Sequence, residues 1–366
     1  MKVATVVGAR PQFVKAAVVS RELRKKHTEV LIHTGQHYDY NMSDVFFEEL
    51  DIPKPDYNLG ISGGSHGEMT GKMIIEIEKV LHKEQPDCLI VYGDTNSTMA
   101  GAIAAAKLHI PVCHIEAGCR IGVEKKEKQG IYEFDNPEEI NRIVTDHIAS
   151  LHLTSTLSGN DFLKKEGIEK TVHFVGDPMF DAFIYYANRA TKNEFEKIVD
   201  FYGKKVQVPE EYYYLTCHRQ ENTDTDKELN EIFMAMEQLD SKVIYPVHPR
   251  NRERAQRLLK SNKYKNIVLV QPVGYLTSIA LVKNAKKIVT DSGGLQREAF
   301  FASKQCVTIF HCWPETLRNN CNQQSRANEK EILEKLAINA IFDENYLPFG
   351  DGNAAKKIVY CIETYL

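Results

Sequence analysis

In the first half of the chain, three short apolar runs each end on charged side chains. Gly8-Ala9-Arg10-Pro11 follows Val3–Val7, with Lys15 one helical turn further on; Gly93-Asp94 follows Cys88–Tyr92; and Glu116-Ala117-Gly118-Cys119-Arg120 follows Val112–Ile115. Where such runs are parallel strands, the residues just past their ends face the ligand crevice. Asp94 and Glu116 then stand side by side on adjacent strands. Paired carboxylates suit general acid–base chemistry, because mutual repulsion raises one pKa toward neutrality. Asp94 also occupies a position from which it can cap the helix that follows. Glu138, in Asn136-Pro137-Glu138-Glu139-Ile140-Asn141-Arg142, opens a further helix. On spacing alone it suits the helix dipole better than it suits catalysis.

The second half carries the signals of anion binding. Ile288-Val289-Thr290-Asp291-Ser292-Gly293-Gly294-Leu295 reads as strand, turn and helix start. Its glycines allow a ligand close to the backbone, and free N–H groups at a helix start attract an anion. It is neither a Walker loop nor a GxGxxG turn, and a bare Ser-Gly-Gly turn is often structural. Cys217-His218-Arg219 and Val247-His248-Pro249-Arg250 also follow apolar runs. Two His-and-Arg clusters opposite a Gly-rich helix start favour a diphosphate clamp. No cluster has zinc-ligand spacing and no GxSxG elbow occurs, so no metal or cofactor is expected.

These residues must be positioned by alternating strands and helices. Strands are expected at Val3–Val7, Val30–Ile32, Cys88–Tyr92, Val112–Ile115 and Val172–Val175, and then at Tyr212–Thr216, Lys242–Pro246, Ile267–Val270, Lys287–Thr290 and Val307–Ile309. Helical segments between them imply parallel sheets covered on both faces. The fold class is therefore α/β, with two Rossmann-like, doubly wound parallel-sheet domains facing a cleft. Residues 1–176 form the carboxylate-bearing domain, 205–352 the diphosphate-binding domain and 177–204 the link. Residues 353–366 are a C-terminal helix returning to the first domain. A length of 366 residues with 43% hydrophobic and 26% charged residues fits two such globular domains. The net charge of −4 argues against a nucleic-acid binder. The eight cysteines form no CxxC pair, which fits reduced thiols in the cytoplasm. No run reaches the roughly 18 apolar residues of a membrane span.

The ordered motifs GARP, GQHYD, GDTNST, HIEAG-x-R, PEEINR, HRxEN, HPR, TDSGGxQxE and PFGDG, from residue 8 to about 352, resemble the UDP-N-acetylglucosamine 2-epimerase family. The resemblance implies the GT-B-like two-domain fold that many glycosyltransferases share. It implies inversion at C2 by removal of the C2 proton, anti elimination of UDP to a glycal, and re-addition of UDP. By motif, Asp94, Glu116 and Glu138 resemble the acid–base carboxylates, and His218 the group that steadies the leaving diphosphate. Arg10 and Lys15 match nucleotide-side contacts, Ser292, Gly293 and Gly294 phosphate contacts, and Glu298 the ribose carboxylate. His37, Arg120, Arg219 and His248 join the substrate and UDP contacts; His248 resembles a contact to an activating second UDP-sugar in some bacterial members. The family also implies a homodimer whose partner is a UDP-sugar.

Three departures from the family pattern stand out. The loop Ile121–Asn136 is long and charged, and it leads into Glu138. The usual Arg-Asp-x-Thr-Glu-Arg-Pro-Glu segment is reduced to Phe310-His311-Cys312-Trp313-Pro314-Glu315, and the following Ala-Gly-Thr is missing from Leu317–Arg326. Residues 8–13 and 63–71 look most like a subgroup acting on UDP-2,3-diacetamido-2,3-dideoxyglucuronic acid, where Arg318 or Arg326 would meet the C6 carboxylate. A hydrolysing epimerase that releases the free sugar and a GT-B glycosyltransferase are the competing readings.

Overall fold

The computed structural model describes residues 1–35, 49–120, 126–128, 131–133, 136–262 and 264–366. The chain divides into two units, Met1–Ala182 with Leu347–Leu366, and Phe183–Tyr346. The first holds β1 (Lys2–Val7), β2 (Thr28–His33), β3 (Tyr57–Asn58), β4 (Cys88–Tyr92), β5 (Val112–Ile115), β6 (Lys126–Lys128), β7 (Ile131–Glu133), β8 (Leu151–Thr154) and β9 (Val172–Phe174). Strands β6 and β7 pair antiparallel with each other; the other seven form a parallel sheet in the order β3-β2-β1-β4-β5-β8-β9. Helices cover both faces, so the central strands are buried along nearly their whole length rather than alternating, and all five residues of β4 are buried. The Ala-rich helix Asn96–Lys107 lies close on the sheet, because a Cβ at Gly101 would already meet Val91, Val6 and Leu89.

The second unit holds β10 (Tyr212–Thr216), β11 (Lys242–Pro246), β12 (Ile267–Val270), β13 (Ile288–Thr290), β14 (Cys306–Thr308) and β15 (Asn322–Gln324), all parallel, in the order β12-β11-β10-β13-β14-β15. Each sheet therefore reverses its winding once. The first does so between β1 and β4, the second between β10 and β13, and a ligand crevice opens at such a switch point. Both α/β parallel sheets expected from the sequence are present.

The C-terminal helix Ala354–Tyr365 packs on the helix Arg10–Leu23 of the first unit. It is fixed at its start by Asp181, whose carboxylate accepts from the Ala354 and Ala355 N–H groups at 3.0 and 2.8 Å. Near its end Glu363 meets Lys26 at 3.1 Å and His27 at 3.0 Å. Within the expected link and just after it come a 3-10 helix, Lys192–Lys197, and a single bridge between Val199 and Lys205.

Five strands escaped the sequence pattern, β3, β6, β7, β8 and β15, and two of them show the physical reason. Strand β15 is Asn-Gln-Gln, with no apolar signal at all. It is nevertheless buried at Asn322 and Gln323 because their amides are satisfied: Asn322 Nδ2 donates to the Gln296 carbonyl at 2.9 Å and Gln323 Nε2 to that of Lys335 at 3.0 Å. Strand β8 follows the preceding helix after only Ala149-Ser150, with no Gly or Pro to mark the break. Six of the eight cysteines are buried, and burial pushes the Cys88 thiol up to about 12, so it packs as a small apolar group. Among the described residues no helix is long and apolar enough to cross a membrane.

Candidate active site

At the first switch point, the ends of β1 and β4 are joined by one side chain, Gln12. Its Oε1 accepts from the Gly8 and Ala9 N–H groups at 2.8 and 2.9 Å, and its Nε2 donates to the Tyr92 carbonyl at 2.8 Å and to Thr95 and Thr98 Oγ1 at 3.0 Å each. Every polar atom of a buried amide is thereby used, and the turns around Arg10 and Asp94 are fixed to each other. Arg10 begins the helix and is partly exposed, with Pro11 behind it.

Lys15 and Glu116 form an ion pair in which both side chains are almost fully buried, at 4% and 7% exposure. Glu116 adopts φ +70°, a left-handed conformation that non-glycine residues rarely hold without surrounding constraint. Gly93, at φ +63°, faces this pair: a Cβ there would lie 3.3 Å from Glu116 Oε2 and 3.7 Å from Lys15 Nζ. The ion pair thus requires the glycine that precedes Asp94.

Asp94 does not cap the helix after it. Thr95 does, accepting the Thr98 N–H at 3.3 Å, while the Asp94 carboxylate pairs with Arg142. Arg142 also meets Glu139 at 2.8 Å, and Asn141 Nδ2 donates to the Asp94 carbonyl at 2.9 Å. Burial opposes the charge on Arg142, but Asp94 and Glu139 outweigh it and raise its pKa. The helix Pro137–Ile148 therefore reaches Asp94 through Arg142 and Asn141. Glu138, whose N–H is capped by Asn136 at 2.9 Å, is exposed on the helix start. Arg120 is bound inside its own unit: its Nε and Nη2 take both oxygens of Glu166 at 2.8 and 2.7 Å, and its Nη1 takes Asp146 at 2.7 Å. His37 lies outside the described residues.

At the second switch point the organising group is Asp291, which is fully buried. Its carboxylate accepts from the Arg219 N–H at 2.8 Å, from the His218 N–H at 2.9 Å, from Asn222 Nδ2 at 3.2 Å and from His218 Nδ1 at 2.8 Å. Burial alone would push this carboxyl up. The His218 ring and the two backbone N–H groups outweigh that and hold it well below the ordinary range, at about 2. His218 is thus oriented through Nδ1, with a half-exposed ring. Arg219 donates to the Asp291 carbonyl at 2.9 Å and lies 3.3 Å over the Phe310 ring. His248 caps the next strand end, accepting the Arg250 N–H at 3.3 Å, and Arg250 reaches the His218 carbonyl at 2.9 Å.

The turn Ser292-Gly293-Gly294 starts the helix Leu295–Phe301, in whose first turn Glu298 is buried. Ser292 Oγ accepts the Leu295 N–H at 3.2 Å. A Cβ at Gly293 would meet nothing within 4 Å. This chain's own packing does not require glycine there. Beside the switch point, at the ends of β14 and β15, a pocket of about 340 Å³ is lined by Asn222, Phe310, His311, Ser325, Arg326 and further residues. Arg318 lies elsewhere in the unit, 3.4 Å from Asp343 and stacked on Tyr346.

The sequence assigned no role to Gln12, Arg142, Asp146 or Asp291, although Arg142 and Asp291 lie within quoted motifs. The only available signal was position: Asp291 directly follows β13, and residues 142 and 146 share a helix face with 139.

A family model described as UDP-N-acetylglucosamine 2-epimerase matches residues 21–363. The chain is 43% identical to a UDP-N-acetylglucosamine 2-epimerase of Methanococcus maripaludis, over 98% of this chain and 97% of that protein. It is 42% identical to the UDP-2,3-diacetamido-2,3-dideoxy-D-glucuronate 2-epimerase of Pseudomonas aeruginosa, over 98% of both. A solved structure of Methanocaldococcus jannaschii UDP-GlcNAc 2-epimerase in complex with UDP-GlcNAc and UDP matches with a TM-score of 0.85 and 38% identity, covering 99% of each chain.

Proposed function

The chain belongs to the UDP-N-acetylglucosamine 2-epimerase family, and from that membership we propose that it inverts C2 of a UDP-linked 2-acetamido sugar without hydrolysis. A carboxylate takes the C2 proton as the bond from C1 to the diphosphate oxygen breaks. A C1=C2 double bond forms and UDP departs with the electron pair. UDP then adds back at C1, and C2 receives a proton on the opposite face. Atoms and charge balance with no external reagent. Asp94, Glu116 and Glu138 supply the acid–base carboxylates in this reading. His218 and the Ser292–Gly294 turn receive the charge that grows on the leaving diphosphate. Arg10 and Lys15 are the nucleotide-side contacts in this reading, and Glu298 takes the ribose.

The observation that carries the reading is the pairing of functions at the two switch points. The first holds Asp94 and a buried Lys15–Glu116 pair on adjacent strand ends. The second holds an oriented His218 beside a glycine that its own fold does not need. Acting on a nucleotide sugar, the enzyme is assigned to the cytoplasm and to surface-polysaccharide synthesis, as a homodimer.

A substrate with a C6 carboxylate is the second reading, favoured by Arg326. Of the two arginines proposed for that carboxylate, only Arg326 lines the pocket beside the switch point. Identity to relatives of the two substrate classes is nearly equal and does not separate them. Incubation with UDP-N-acetylglucosamine and with the diacetamido uronate in deuterated water, followed by NMR, tests both. Epimerisation gives a UDP-sugar deuterated at C2, from the preferred substrate. Release of free sugar would instead make this a hydrolysing enzyme, and no C2 exchange with either sugar would remove the reading.

A further inference from the structure

Behind the turns that carry Asp94 and Glu116 lies a buried pair that the proposed reaction leaves unused. His114 on β5 is 0% exposed and Asp146, on the helix Pro137–Ile148, is 1% exposed. His114 Nδ1 is 2.6 Å from Asp146 Oδ1, and His114 Nε2 is 2.8 Å from the Gly93 carbonyl oxygen. The other Asp146 oxygen accepts from the Gly118 N–H at 3.1 Å and from Arg120 Nη1 at 2.7 Å. Burial pushes the Asp146 carboxyl up, but His114 and Arg120 outweigh burial and hold it at about 2. It is therefore a carboxylate, and a carboxylate and a carbonyl only accept. Both ring nitrogens of His114 must donate, so the ring carries two protons.

The neighbouring histidine does not share this state. His152 Nε2 is 2.6 Å from the Asp146 carbonyl, but its Nδ1 is 2.9 Å from the Thr171 hydroxyl, which can donate. That ring is satisfied with one proton, and burial lowers its pKa.

Gly93 is the residue before Asp94, and Gly118 is two past Glu116. One carboxylate on one helix therefore fixes both turns: the first through His114, the second directly. We propose that Asp146 is a positioning residue for C2 proton transfer, holding Asp94 and Glu116 in register through the His114 ring and the Gly118 N–H. The same helix meets Asp94 from its other end through Asn141 and Arg142. It thus acts as a jig for the carboxylate pair. The proposal rests on the epimerase reading above.

Asp146→Asn keeps the side-chain shape but puts an amide N–H against donors on one side or the other. Misplacing reacting groups by about 1 Å costs about 100-fold in rate. The expected result is kcat for C2 deuterium exchange reduced by about 100-fold, with KM and UDP affinity within about threefold of wild type. Glu166→Gln, which loosens the far side of Arg120 and the contact with His147 but touches neither Asp146 nor His114, is the control and should keep kcat within about twofold of wild type. Independently of any variant, ¹⁵N-histidine NMR of the wild-type protein should show one ring with both N–H groups held in hydrogen bonds, a signal missing from His114→Gln. Absence of that ring, or an Asp146→Asn protein with unchanged kcat, overturns the proposal. Should the wild type fail to exchange the C2 proton, the functional reading falls, while the ring spectrum still decides the network.

Discussion

Gly293→Ala separates what the fold needs from what a ligand needs. The added Cβ meets nothing within 4 Å, and Gly293 is not among the glycines with positive φ. Alanine at such a site restricts the unfolded chain and stabilises by about 0.4–1 kcal/mol. If the diphosphate lies against this turn, however, the methyl group occupies its approach and weakens the hydrogen bonds from backbone N–H groups. A hydrogen bond to a charged group contributes about 1.5–3 kcal/mol, so UDP affinity should fall by about 10- to 150-fold. Thermal unfolding without ligand and titration calorimetry with UDP read the two effects separately. Gly93→Ala gives the opposite pattern. Its Cβ would lie 3.3 Å from Glu116 Oε2 at φ +63°, so stability drops by at least the about 1–2 kcal/mol of a left-handed alanine, while UDP binding persists. A Gly293→Ala protein that is stable and binds UDP within about twofold of wild type would refute the placement of the diphosphate.

Two further predictions concern the buried charges. Lys15→Met leaves Glu116 without its counter-ion and should destabilise the first unit by about 3–5 kcal/mol in urea unfolding; adding Glu116→Gln should recover most of that loss, and additive losses in the double variant would show that the pair is not coupled. The Asp291 carboxyl is held at about 2 in the fold, below its unfolded value of about 3.9. Its contribution is full above that unfolded value and is lost as pH falls toward 2. The stability gap between wild type and Asp291→Asn should therefore narrow by about 1 kcal/mol between about pH 5 and about pH 3; a gap constant with pH contradicts the role given to His218 and the backbone donors.

The strand ends were legible in the sequence because apolar runs stop abruptly at Gly8, Gly93 and Asp291, and residues past a strand end face a crevice in any parallel sheet. The same logic recovered the turns of His218 and Gly293. What it could not supply was partners distant in the chain. Whether Asp94 capped its helix or turned to a cation depended on Arg142, 48 residues away. The partner of the His114 ring was Asp146, which in the sequence is one more polar residue on an amphipathic helix. Arg120 follows a strand, and its partners Glu166 and Asp146, 46 and 26 residues away, are not marked in the sequence. Strand β15 was invisible for the converse reason: its burial is carried by amide hydrogen bonds and not by apolar surface.

The central proposal is that Asp94 and Glu116 exchange the C2 proton of a UDP-sugar. Measuring C2 deuterium incorporation and UDP affinity side by side in Asp94→Asn and Glu116→Gln tests it most directly. The account predicts that exchange is abolished in both variants while UDP binds within about threefold of wild type. Exchange at the wild-type rate in either protein would contradict it.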